Sequence, residues 1–153
     1  MNFLAKEDIE APIDQVFGML TDFDAIERAA LWRGIDVKRQ AGPVAVGLTW
    51  DLKFTFRGKD RAAHLKLTEF DAPNGVAFDS DSGGIEAEGR IDLVALSRSR
   101  TRMTTHVELE AKTLSARLLL QSLKLAKSNL NKRFKLRLAN FAKEIETRCA
   151  KRA

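Results

Sequence analysis

Residues 115–153 read SARLLLQSLKLAKSNLNKRFKLRLANFAKEIETRCAKRA, with neither proline nor glycine. Apolar residues recur at Leu119, Leu123, Ala126, Leu130, Phe134, Leu138, Phe141 and Ile145. Steps of three and four trace one face of a helix. The spacing predicts one long helix in the stretch that runs from Ser115 to Ala153; roughly 30 residues of helix at about 1.5 Å each would span about 45 Å. A helix of that length must lie across something wide, and the rest of the chain supplies it.

Upstream, Phe3, Ala5 and Ile9 mark a first strand over residues 2–11. Pro12 suits the first turn of a helix, and Ile13, Val16, Phe17 and Leu20 then share one helical face. Thr21-Asp22 breaks it, with Asp22 or Asp24 as the cap of a second short helix that carries Phe23, Ile26, Ala30 and Leu31 and ends at Trp32-Arg33-Gly34. From Ile35 the period falls to two. Ile35, Val37 and Arg39 form a short strand before the loop from Gly42 to Gly47. Leu48, Trp50, Leu52, Phe54 and Phe56 alternate with polar residues, and Gly58-Lys59-Asp60 turns the chain. Four more strands follow, around Ala63–Leu67, Val76–Ser80, Ile85–Ala95 and Thr101–Leu109. Their turns fall at Ala72-Pro73-Asn74-Gly75, Gly83-Gly84 and Ser97-Arg98-Ser99. Short turns between consecutive strands make the sheet antiparallel, and alternation gives it one dry and one wet face. The fold class is therefore α+β: about seven strands, two short helices after the first, and a long helix over the dry face.

At 153 residues the chain is expected to form a single domain, spanning 1–153, with a real core. No apolar run reaches the roughly 20 residues needed to span a bilayer. Met1 to Glu10 lack a signal-peptide block, and a cytoplasmic location is the expectation. One cysteine, Cys149, rules out an internal disulfide and any site needing two cysteines. It is expected in the fraying end of the helix, where a reactive nucleophile is not favoured. Charge is unevenly placed. Residues 113–153 hold 11 Lys/Arg against 2 Asp/Glu, leaving 15 basic and 19 acidic residues for the remainder. The basic excess lives on the long helix.

The order of elements resembles the helix-grip fold of the START, Bet v 1 and polyketide-cyclase superfamily, often called SRPBCC. The resemblance covers essentially the whole chain. It rests on Ala11-Pro12 followed by Val16-Phe17, on Leu20-Thr21-Asp22, on the Gly42–Gly47 loop leading into Trp50, on Phe70-Asp71-Ala72-Pro73-Asn74-Gly75, and on the terminal helix. It implies a sheet curled around the helix, an apolar cavity between them, and a lipid, sterol, polyketide or aromatic ligand. Fold alone names neither the ligand nor a reaction.

The expected cavity lining is Phe17, Leu20, Trp50, Leu52, Phe54, Leu67, Phe78, Ile91, Met103, Thr105, Leu119, Leu123 and Leu130. Its volume would be a few hundred Å³, within the roughly 300–1,000 Å³ of ligand pockets. Core packing uses the same lining chemistry. Inward polar candidates are only Thr101, Thr105 and Ser80, and hydroxyls make poor general bases. His64 and His106 fall on outward parity, and no third ligand has a metal-site spacing. Glu86, Glu88, Asp92, Glu108 and Glu110 also point outward and are expected to pair with Arg90, Arg102 and Lys112. There is no tyrosine. The Gly42–Gly47 loop lacks the Gly-Lys-Ser/Thr ending of a phosphate loop and reads as a tight connection near the cavity mouth. The residues thus describe a non-catalytic, or weakly catalytic, carrier of an apolar small molecule, with no cofactor and no metal expected. A cyclase- or dehydratase-type enzyme, or a lipid- or quinone-handling adaptor, is the alternative.

Leu118, Leu125 and Leu136 leave the main helical stripe. With Lys124, Lys132 and Arg133 they suggest contact with a second subunit or an acidic membrane surface. Nucleic acid is not expected as a partner.

Overall fold

The computed structural model describes residues 1–152, Arg152 for its backbone alone. Strand β1 (Asn2–Ile9) is followed by α1 (Ile13–Leu20) and α2 (Phe23–Trp32). Then come β2 (Asp36–Arg39), β3 (Thr49–Phe56), β4 (Lys59–Asp71), β5 (Gly75–Ser82), β6 (Ile85–Ser97) and β7 (Arg100–Ala111). The chain ends in α3 (Leu114–Leu125) and α4 (Lys127–Arg152). The sheet is seven-stranded and antiparallel throughout, in the order β1-β7-β6-β5-β4-β3-β2.

The expected single C-terminal helix is two helices. The chain leaves helical geometry at Ala126, with φ −100° and ψ 12°, and resumes at Lys127. Alanine is the best helix former, so propensity does not cause the break. Packing does: α3 lies against β6 and β7, whereas α4 packs chiefly on β1 and also meets α1. One straight rod cannot follow both. Ala153, where the expected helix ended, lies outside the described residues. Cys149 is not at a frayed end; it is buried in the core beside Ile145 and Ala142.

Helix starts follow their capping chemistry. The carboxylate of Asp22 accepts from the Ala25 N–H at 3.2 Å at the start of α2. The hydroxyl of Thr113 accepts from the Ala116 N–H at 3.1 Å at the start of α3. A register shift in β4 between Leu67 and Glu69 turns Phe70 toward Phe17, whose ring lies edge-on 5.3 Å away.

The core is densest where α1, α2 and the C-terminal part of α4 close one end of the sheet. Ile9, Val16, Leu67, Val76, Met103 and Ile145 are almost wholly buried there. Each such side chain contributes about 1.5–3 kcal/mol of transfer free energy.

Candidate functional site

Strand alternation builds the site. On β3, β5 and β6 the residues Leu52, Phe54, Phe78, Ile91, Ala87 and Gly89 face the same side as the buried Trp50 and Leu93, and all six are half-buried. The dry face is therefore closed at the α1–α2 end and partly uncovered under α3. Of the expected lining, Phe17, Leu20, Trp50, Leu67, Met103, Thr105 and Leu123 are fully buried. Leu52, Phe54, Phe78, Ile91, Leu119 and Leu130 are half-buried.

Gly89 lies at the centre of this face, opposite Phe78 on β5 and Val107 on β7. A Cβ built on Gly89 would meet no atom within 4 Å. In a packed interior a methyl group finds neighbours at van der Waals distance on all sides. The middle of the concave face thus has open space above it. Gly75 differs: its added Cβ would stand 2.4 Å from the carbonyl oxygen of Ile91.

Beside this space Thr105 is buried with 6% exposure, and its Oγ1 has no hydrogen-bond partner among the described residues. Two residues earlier on the same face lies Met103, and two before that Thr101, whose Oγ1 donates to the Ala11 carbonyl at 2.8 Å. A buried hydroxyl without a partner costs about 1–3 kcal/mol. Thr105 retains a full donor and acceptor for something else.

The closed end is aromatic. The Phe23 ring meets Trp50 edge-on at 5.1 Å, and Phe78 lies 6.1 Å from Trp50. Here the structure corrects the expected set of inward polar groups, which omitted Glu27, Arg39 and Arg61. Arg39 continues the inward parity of Val37 and is half-buried. Its guanidinium donates to Glu27 at 2.5 and 2.8 Å and to Asp24 at 2.6 Å. The Trp50 indole N–H reaches Glu27 at 3.4 Å. The Glu27 hydrogen bond, ahead of desolvation, which acts the other way, raises the Arg39 pKa above its ordinary value. These groups engage each other and fasten α2 to β2 and β3.

At the open end, Arg57 and Arg61 place their guanidinium carbons 5.7 Å from the Phe56 ring centroid. Arg61 Nε also donates to the Phe56 carbonyl at 3.2 Å. Arg57 reaches across to the Ser122 hydroxyl on α3. Parity could have found Arg61, which shares the face of Ala63 and Leu65.

The remaining polar candidates stay outside. His64 is exposed and its Nδ1 lies 2.9 Å from Asp51; His106 is half-buried on outward parity. Lys112 pairs with Glu110 and Glu86, and Arg90 with Asp92, as parity suggested. Arg90 also takes Glu69, and Arg102 takes Asp8 on β1 rather than any of the expected carboxylates. Glu88 and Glu108 face each other in register. Among the described residues no group of three or more His, Cys, Asp or Glu could hold a metal ion. Of two open concavities, one of about 290 Å³ is lined mainly by charged residues such as Lys66, Asp79 and Glu88, and one of about 600 Å³ mixes Leu31, Val37, Leu52, Ala62 and Ala63 with Asp36, Lys38, Asp51 and Lys53. The lining of the first suits water and ions, whereas the second offers apolar side chains beside charged ones. The Gly42–Gly47 loop joins the strand ends opposite the β3–β4 turn and is anchored by the Gly47 N–H on the Leu67 carbonyl at 2.8 Å.

A curled antiparallel sheet gripping C-terminal helices, with a dry concave face, defines a helix-grip protein of the kind that holds hydrophobic ligands. The chain belongs to the polyketide cyclase/dehydrase and lipid transport family, whose model matches residues 2–146. It is similar in structure to TTHA0849 from Thermus thermophilus, with TM-score 0.70, 18% identity and coverage of 100% of this chain and 99% of that one. It is similar also to the Zhui aromatase/cyclase from Streptomyces sp. R1128, with TM-score 0.68, 13% identity and coverage of 97% and 94%. Ara h 8.0201 matches with TM-score 0.59, 14% identity and coverage of 86% and 93%. At these identities the likeness is one of fold. No curated protein matches the chain by sequence. No helix among the described residues is long and apolar enough to cross a membrane.

Proposed function

We propose that the whole chain is one ligand-binding domain that carries an apolar small molecule, of lipid, sterol, polyketide or aromatic type, between the concave face and α3. The open space over Gly89 carries this reading. The half-buried Leu52, Phe54, Phe78 and Ile91 form its apolar wall, and the unpartnered Thr105 hydroxyl offers one polar anchor. Ligand sites of this kind combine an apolar lining with a few placed polar groups. A reducing, cytoplasmic setting accords with the lone cysteine, and the basic C-terminal helices suit an acidic surface.

The test is native mass spectrometry of freshly purified protein, together with binding of an environment-sensitive apolar dye. Gly89→Leu should fill the space and abolish dye binding while the protein stays folded by circular dichroism. Dye that binds the folded Gly89→Leu variant as well as the parent would refute the location. No co-purified molecule and no dye binding by the parent would refute the carrier.

The cyclase reading draws on the Zhui likeness and on Arg61, a guanidinium on the inner face that could polarise a ligand carbonyl. Turnover of a polyketide analogue that Arg61→Ala removes, without loss of dye binding, would favour it.

A further inference from the structure

Helix α3 is apolar on two opposite faces. Ala116, Leu120 and Leu123 are buried against the sheet. Leu114, Leu118 and Leu125 point away, at 73, 61 and 93% exposure. Spacings of four and seven keep these three within an arc of about 40° on a helix. A helix that merely covered the core would carry polar residues there. Leu136, grouped with them by sequence, lies on α4 beyond the break and is not part of this stripe.

Topology puts a second exposed apolar pair at the same end of the sheet. β2 runs antiparallel to β3 with Asp36 opposite Lys53, so the end of α2 just before it lies toward the β3–β4 turn. That turn is bound to α3 through Arg57 and Ser122. The end of α2 carries Trp32, 90% exposed, and Leu31, 61% exposed.

Charge identifies the occupant. Residues 113–143 hold eight Lys/Arg and no Asp/Glu. Among the described residues, Arg117, Lys124 and Lys127, which flank the stripe, form no ion pair. A two-fold contact with a second copy would set these like charges against each other. An anionic bilayer complements them. Leucines would enter the acyl boundary, tryptophan would sit at the headgroup level, and basic side chains would meet lipid phosphates.

We infer that α3 and the end of α2 form a docking surface for an anionic membrane, laid against the open end of the concave face. It deepens the carrier reading by naming where the cargo is exchanged, and it rests on that reading for its purpose alone.

The two tryptophans supply the test, because Trp50 is 3% exposed and Trp32 is 90% exposed. The protein is mixed with phosphatidylcholine vesicles, with or without phosphatidylglycerol. It should sediment with the anionic vesicles alone, and Trp32 emission should shift to the blue. Sedimentation should fall about tenfold as salt rises from about 20 mM to about 200 mM and shortens the Debye length. Trp32→Phe should remove the shift. The double variant Leu118→Ser, Leu125→Ser should stay folded, since both positions are exposed, and should no longer sediment. No sedimentation with anionic vesicles at low salt overturns the inference. So does binding that leaves Trp32 emission unmoved, or a dimer by light scattering that the double variant dissolves. Dye binding without vesicles is the separate arm. If docking fails and dye binding persists, only this inference falls; if dye binding fails and docking persists, the carrier reading falls.

Discussion

Arg57 donates a hydrogen bond to the hydroxyl of Ser122, 65 residues further along the chain. It does so from a left-handed backbone with φ 54°, a conformation that side chains disfavour by about 1–2 kcal/mol. The strained turn between β3 and β4 thereby tethers the C-terminal half of α3.

Arg57→Gly and Arg57→Ala both cut the tether, but only glycine relieves the backbone. The glycine variant should be about 1 kcal/mol more stable than the alanine variant by chemical denaturation. Both should release bound dye faster than the parent in stopped-flow displacement. Unchanged release rates in both would show that the tether does not gate the site.

Thr101 and Thr105 face the same way on β7 and make opposite use of their hydroxyls. Thr105→Val removes an unpartnered group and should raise the stability of the empty protein by about 1 kcal/mol. Thr101→Val loses the bond to the Ala11 carbonyl and should lower it by about 1–2 kcal/mol. Thermal melts of the two variants decide; equal signs would contradict the assignment.

Glycines at two strand positions should respond differently to a methyl group. Gly89→Ala, with open space above it, should gain about 0.5–1 kcal/mol from reduced chain entropy. Gly75→Ala meets the backbone oxygen of Ile91, which cannot step aside, and should cost about 2 kcal/mol or more. A loss at Gly89 would mean the space is already filled.

Asp8 should set part of the acid limb of stability. The Arg102 hydrogen bond holds its carboxyl below the ordinary value of 3.8, against a desolvation that raises it, with Arg102 and Arg100 charges assisting. A carboxylate lowered by folding stabilises fully above its unfolded value, and that contribution fades as pH falls through the lowered one. Melting temperature should therefore fall less steeply below about pH 4 in Asp8→Asn than in the parent. Parallel acid limbs in the two proteins would remove Asp8 from the account.

The strands were legible because one-sided burial writes itself as alternation: Trp50, Leu52, Phe54 and Phe56 could face only one way. The caps at Asp22 and Thr113 are local chemistry and equally open to reading, although only the first was expected. The break at Ala126 left no local mark, because the divergence of α3 from α4 is decided by strands far away in sequence. Arg39 and Arg61 obey the parity of their strands, yet a charge on a dry face reads as an exception until its partners are seen. Core and cavity share one vocabulary of side chains. Trp50 and Phe54 looked alike in the sequence, and what separates them is cover: Trp50 packs against Phe23 of α2 at the closed end, whereas Phe54 is half-buried.

The interruption at Ala126 also divides labour along the C-terminal segment. Twelve residues are too few to hold a helix in water unaided, so α3 keeps its shape through what it touches. The 26 residues of α4 are anchored independently on β1 and in the core through Ile145 and Cys149. Under the proposed carrier function, cargo would come and go at the expense of a single short leaf, while the spine behind it stays wound.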